Sequence, residues 1–200
     1  MKMRIASLTI LCLALAVIPA SAQVLYSNGP INGTTDGWTI NFGYVVSDTF
    51  TLSAASTLGS VDIGVWEFPG DTGSTVDWSI TSTENGTGVG GTANVTDTFI
   101  STNQYGYDID KWHFTTPIGA LGAGTYWLNL QNAVVPSGDP VYWDENSGPS
   151  SASESAVGTI ASEAFSVNGT STGTTPEPSS IMLFGSGILG LAGVLRRKLF

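Results

Sequence analysis

Apolar and polar positions alternate with a period of two through the middle of the chain. The alternation runs through residues 39–42, 48–52, 61–66 and 76–80, and resumes in residues 112–114, 125–130 and 141–143. Successive side chains on a strand point to opposite faces, so each stretch predicts a strand with one buried face. Turn-forming clusters separate them, among them Asn28-Gly29-Pro30, Pro69-Gly70-Asp71, Glu84-Asn85-Gly86, residues 119–124 and Pro136-Ser137-Gly138. Short strands punctuated this often predict an all-β fold, an antiparallel β-sandwich or jelly roll, in preference to a sheet with helical crossovers. Two hexapeptides, Ser47-Asp48-Thr49-Phe50-Thr51-Leu52 and Ser162-Glu163-Ala164-Phe165-Ser166-Val167, repeat one order of serine, acid, small, phenylalanine, polar and aliphatic residues. Unless the likeness is chance, that echo predicts neighbouring strands closing one sheet.

At both ends the alternation gives way to continuous apolar runs. Lys2 and Arg4 precede an apolar stretch over residues 5–18, Pro19 ends it, and Ala20-Ser21-Ala22 supplies the small residues a signal peptidase accepts. Residues 1–22 therefore predict a signal-peptide helix cleaved before Gln23. Cys12 lacks the small preceding residue of a lipobox, which argues against lipidation. Near the other end, residues 179–195 carry no charge and are closed by Arg196, Arg197 and Lys198. As a helix such a run covers roughly 25 Å, a marginal single transmembrane span. A basic cluster favours the cytoplasmic side, which leaves everything before the span outside.

Charge sharpens the picture of the segment between. Of the 6 basic residues only Lys111 lies between Gln23 and Pro178, whereas all 16 acidic residues do. Phosphate backbones need clustered Lys and Arg, so nucleic acid is excluded as a partner. No cysteine follows Cys12, so no disulfide supports the domain and its stability rests on the apolar core. The Ser/Thr/Gly/Asn-rich stretch beyond predicts a flexible linker over residues 168–175.

Pro176-Glu177-Pro178 stands just before the apolar run, and two prolines hold a motif extended and accessible. The order of Pro-Glu-Pro, short apolar helix and the cluster Arg196, Arg197 and Lys198 resembles the PEP-CTERM sorting signal of Gram-negative bacteria. An ordinary membrane anchor behind a proline-containing linker is the alternative. The resemblance implies recognition by an exosortase, a membrane protease-transpeptidase, with an inner-membrane precursor that passes to the cell surface or extracellular matrix. It divides the chain into a signal peptide (1–22), a β-sandwich ectodomain (23–167), the linker (168–175) and a sorting signal (176–200). The ectodomain also resembles one that recurs among PEP-CTERM proteins, through Tyr26-Ser27-Asn28-Gly29-Pro30, Ser47-Asp48-Thr49-Phe50, Gly124-Thr125-Tyr126-Trp127-Leu128 and Tyr142-Trp143-Asp144-Glu145-Asn146. That likeness brings no catalytic residue with it and implies export and a β-sandwich; association with exopolysaccharide or biofilm is what the resemblance to PEP-CTERM proteins implies.

Candidate chemistry in the ectodomain is sparse. His113 is the only histidine, which excludes a His-rich metal site, and no Gly-x-Ser-x-Gly elbow accompanies it. Two carboxylates suffice for a glycosidase, with Glu67, Asp77, Asp110, Asp144 and Glu145 as candidates, but no motif selects a pair. No cofactor is expected. Calcium is the ion the loops suit, through Asp108-Ile109-Asp110 or residues 139–146, although neither matches an EF-hand and solvated acidic loops are the default. Six tryptophans fall in this segment, and aromatic faces beside Asp and Asn can stack on sugar rings. Tyr142, Trp143, Asp144 and Asn146 have that composition. A non-enzymatic surface or matrix protein is therefore expected, with a carbohydrate-binding module and a carboxylate-dependent glycoside hydrolase as alternatives.

Overall fold

The computed structural model describes residues 22–86 and 88–172, together with positions 185, 187 and 188. Ala22 and Gln23 of the cleavage motif are within this range. Ala20, Pro176, Glu177, Pro178, Arg196, Arg197 and Lys198 lie outside the described residues, as does most of the C-terminal apolar run. Among the described residues no helix is long and apolar enough to cross a membrane.

Thirteen strands make up the domain. They are β1 (Gln23–Ser27), β2 (Gly37–Thr39), β3 (Val46–Leu52), β4 (Ser56–Glu67), β5 (Thr75–Thr81), β6 (Val89–Thr102), β7 (Asp108–Leu121), β8 (Gly124–Val134), β9 (Tyr142–Asn146), β10 (Ala152–Glu154), β11 (Gly158–Ile160), β12 (Ser162–Glu163) and β13 (Phe165–Ser171). They form one antiparallel sheet in the order β1-β13-β4-β7-β6-β5-β8-β3-β10-β11, with β9 pairing β4, β2 and β12. The all-β antiparallel expectation holds, and the sheet is curled into a half-barrel.

The curl is made by β6. Its first six residues pair with β5 and the rest, from Val95 onward, pair with β7, so one strand joins the two halves. Inward side chains from both halves then meet in a single core containing Val46, Phe50, Val61, Ile63, Val65, Trp78, Trp112, Phe114, Leu128, Leu130, Trp143 and Phe165. Alternation explains which residues arrive there: β5 buries Val76, Trp78 and Ile80 while Asp77 and Ser79 point away. The C-terminal half of β4 departs from alternation and is buried on both faces. The loop before β2 packs over its outer face, where a Cβ on Gly64 would lie 2.7 Å from Ile31 Cγ2, so the close approach needs glycine.

Several expectations shift. Residues 40–42 leave strand geometry after β2, and Phe42 takes φ 55° with its ring 63 % exposed. Strand β7 continues to Leu121, into the expected turn region, and β13 continues to Ser171, four residues into the expected linker. The two echoing hexapeptides do not pair: β3 lies between β8 and β10, whereas β13 lies between β1 and β4. They meet instead at the seam where the ends of the curled sheet approach. There the Glu163 N–H donates to Asp48 Oδ2 at 2.7 Å, and the Asn28 amide reaches Asp48 Oδ2, Ser150 Oγ and the Glu163 carbonyl.

An aromatic strip over a buried acid cluster

The expected glycan-contacting group Tyr142, Trp143, Asp144 and Asn146 lies on β9, but three of the four are buried. Trp143 is fully buried and donates its indole N–H to the Ala164 carbonyl at 3.0 Å. Buried Asp144 accepts the Trp66 indole N–H at 2.6 Å and the Gly33 and Asn32 amides at 3.0 and 2.8 Å, which clamps the loop before β2 onto the sheet. Its burial raises the carboxyl above the ordinary range, partly offset by those three donors. Asn146 donates to the Asn28 carbonyl and accepts from Ser162 and Gly148. With their polar atoms bonded within the fold, these three leave only half-buried Tyr142 available to a ligand.

Tyr142 joins a different aromatic group at the same end of the sheet. Trp66 stacks on Tyr105 at 5.8 Å between centroids, and Tyr107 meets Phe68 and Tyr142 edge-on at 5.1 and 5.7 Å. Trp66 and Phe68 flank Glu67 at the end of β4, while Tyr105 and Tyr107 come from the turn between β6 and β7. Tyr105 is 61 % exposed and Phe68 38 %, so the strip presents ring surface outward over the nearly buried Trp66. Gln104, on the same turn, donates to the Thr34 carbonyl and ties it to the loop before β2. A separate groove of about 390 Å³ beside β5 and β8 is lined by Asp77, Ser79, Asn129 and Gln131, but its tryptophan, Trp78, is only 8 % exposed.

On the inner face, behind the strip, three acids converge. Glu67 continues the inward positions Val61, Ile63 and Val65 of β4; Asp110 shares the phase of Trp112 and Phe114 on β7; and Asp97 sits opposite Trp112 on β6. Their carboxylate oxygens come within 4.8 Å of one another. Glu67 has no exposed surface and neither of its oxygens has a hydrogen-bond partner; Asp97 Oδ1 and Asp71 Oδ2 are likewise buried and unpartnered. The loop between β4 and β5 closes over them. Its Gly73 N–H donates to Asp97 Oδ2 at 2.6 Å, and a Cβ on Gly73 would lie 2.3 Å from the Trp112 ring. The Trp112 indole N–H faces Glu67 without reaching hydrogen-bond geometry. Burial, reinforced by Asp97 and Asp110, pushes Glu67 up to about 8, and burial with Asp97 and Asp108 pushes Asp110 up to about 7.

Of the loops expected to offer calcium ligands, Asp110 enters this cluster. Asp108 instead accepts from the Gly70 N–H and the Thr102 hydroxyl, and residues 139–146 do not contribute. Spacing along the chain hid the group, since its members are 30 and 13 residues apart. The available signal was phase at two of the three, because Glu67 and Asp110 occupy positions where the strand alternation calls for an apolar side chain.

The segment beyond the domain matches the PEP-CTERM protein-sorting motif over residues 174–198. The chain carries a PEP-CTERM sorting signal. The matched span holds Pro176, Glu177, Pro178 and the cluster Arg196, Arg197 and Lys198 that carried the resemblance. A PEP-CTERM signal implies export, processing by an exosortase and sorting to the cell surface. No curated protein matches the chain.

In the domain that precedes the PEP-CTERM signal, His113 pairs with Asp62, Nδ1 to Oδ1 at 2.8 Å. Ser166 Oγ donates to Asp62 Oδ2 at 3.5 Å and not to His113, so the three lack the serine-to-imidazole bond of a catalytic triad.

Proposed function

We propose that the mature protein is a non-enzymatic component of the cell surface or matrix that holds extracellular polysaccharide on its aromatic strip. The observation carrying this reading is the pair of exposed rings, Tyr105 and Phe68, held by packing: Tyr105 and half-buried Tyr107 lie on the buried Trp66, and Phe68 lies on Tyr107. Rings locked this way offer apolar faces to sugar C–H groups with little ordering cost. The curled sheet serves as the sandwich-type scaffold, its two halves acting as layers over one core. The acidic surface favours neutral or cationic glycans over anionic ones.

The hydrolase alternative is weaker on access. Glu67 and Asp110, the candidate carboxylates that come together, are 0 % and 4 % exposed, so a sugar ring does not reach them. Asp144 is buried and Glu145 accepts the Trp38 indole N–H. Native electrophoresis of the full chain in gels cast with a panel of neutral polysaccharides tests the reading. Retardation by at least one of them, abolished in a Phe68→Ala/Tyr105→Ala variant, is expected. Equal mobility of both proteins in every gel overturns it.

A further inference from the structure

We propose that Glu67, Asp97 and Asp110, joined by Asp71 from the loop between β4 and β5, form a binding site for one divalent, oxygen-preferring cation of the calcium class. The site is independent of the polysaccharide reading.

The argument starts from the cost of the arrangement. Removing a carboxylate from water without a compensating donor costs several kcal/mol, and gathering like charges adds to it. A fold meets that cost by supplying donors or a countercharge, or else by holding the acids protonated, and this one supplies few donors and, among the described residues, no protein countercharge. The Gly73 N–H is the donor directed at the cluster, reaching Asp97. Among the described residues the one salt bridge joins His113 to Asp62, and Lys111, the one lysine, is exposed. Glu67, fully buried with both oxygens unpartnered, is aimed at its two neighbours, and Asp71 adds a further unpartnered oxygen from the covering loop. A cation among Glu67, Asp97 and Asp110 satisfies an oxygen of each at once, with Asp71 close enough to act on Glu67.

Geometry fits an ion of that size. Calcium binds oxygen at about 2.3–2.6 Å, so ligands across its coordination sphere lie up to about 5 Å apart, which matches the mutual distances within 4.8 Å in the cluster. The donors are all hard oxygens, with no histidine or cysteine among them, which disfavours zinc and copper. Asp71 lies on a loop and the other three on strands, giving the partly adaptable shell that calcium accepts more readily than magnesium. Neutralising the cluster also holds down the loop that starts at Phe68, so the ion steadies one edge of the aromatic strip from behind.

The test uses the full chain purified in detergent and stripped with a chelator, with calcium and terbium as probes. Terbium is expected to show tryptophan-sensitised luminescence, because Trp112 lines the cluster, and calcium to displace it with a stoichiometry of one. The melting temperature is expected to rise by roughly 5 °C at about 10 mM calcium, given millimolar affinity typical of extracellular sites. Glu67→Gln keeps the shape and removes the charge. It is expected to melt no lower than the wild type without calcium and to lose at least tenfold in calcium affinity, whereas Glu84→Gln, at an exposed acid elsewhere, leaves both values unchanged. The proposal is overturned if the wild type shows neither displacement nor a melting shift, or if Glu67→Gln binds calcium as the wild type does.

Discussion

The domain buries acids in two places and treats them differently. At the seam, the Asp48 carboxylate accepts N–H groups from Asn28, Thr49 and Glu163, so it acts as a latch between the ends of the curled sheet. At the loop end, both oxygens of Glu67 have no partner and two further carboxylates converge on it. A buried acid surrounded by donors is part of the folding machinery. A group of acids whose buried oxygens mostly lack donors has coordination left to give. Glu163 shows the intermediate case, a single unpartnered carboxyl whose burial beside Asp48 raises it well above its usual range.

The largest effect should come from breaking the latch. Asp48→Ala leaves three N–H groups without their acceptor and is expected to cost about 3 kcal/mol in urea unfolding. A cost below about 1 kcal/mol makes the seam incidental.

The next effect is in pH. Burial holds Asp48 at about 6, above its ordinary 3.8, despite its hydrogen bonds. A raised folded value means the native state holds the proton longer than the unfolded chain. Stability from this group is therefore fully present below about pH 4 and is lost as pH rises through about 6. Glu163, the acid facing Asp48 most directly, shifts in the same sense, with Glu145, Asp144 and Asp36 nearby and Tyr26 beside Asp48. In chelated protein, the stability difference between wild type and Asp48→Asn should change by on the order of 2 kcal/mol between pH 4 and pH 7. A flat difference contradicts the assigned role of burial.

Smaller still is the expected response at the other acid site. Glu67→Gln without calcium should change unfolding free energy by no more than about 1 kcal/mol, and in the stabilising direction, because a neutral amide replaces an acid that the empty site, holding it at about 8, must keep protonated at neutral pH. Large destabilisation there erases the contrast between the two sites. The smallest change concerns the strip: Tyr105→Ala should cost under about 1 kcal/mol of stability, since its ring is largely exposed, while weakening polysaccharide retardation.

How far the sequence revealed all this varies from residue to residue. Residues 48–52, 76–80 and 125–130 lie in strands because one face of each feeds the core, and alternation records that directly. Strand β6 was hidden for the same reason in reverse. It is 14 residues long, yet Ala93 is its only fully buried residue, so its Gly, Thr and Asn leave no apolar trace. Residues 40–42 misled in the other direction: Ile40 is buried and tied by backbone hydrogen bonds to Val141 and Ala133, but the chain turns immediately afterwards. The terminal signals are local in sequence, so Pro176 to Lys198 could be read without any structure. Trp143, Asp144 and Asn146 suggested a ligand surface by composition, and composition says nothing about which way a side chain points. The acid cluster depends on three strands brought together by the fold; phase with Val65 and Trp112 pointed to Glu67 and Asp110, while Asp97 lay on the hidden β6.

The claim that separates the two acid sites is that the loop-end group holds a cation and the seam does not. Anomalous diffraction from crystals of the protein grown with terbium tests it most directly. One strong peak is predicted among the carboxylates of Glu67, Asp97 and Asp110, at coordination distances of about 2.3–2.6 Å, with none at Asp48 and Glu163. Absence of a peak among those three, with density only at exposed acids or at the seam, would contradict it.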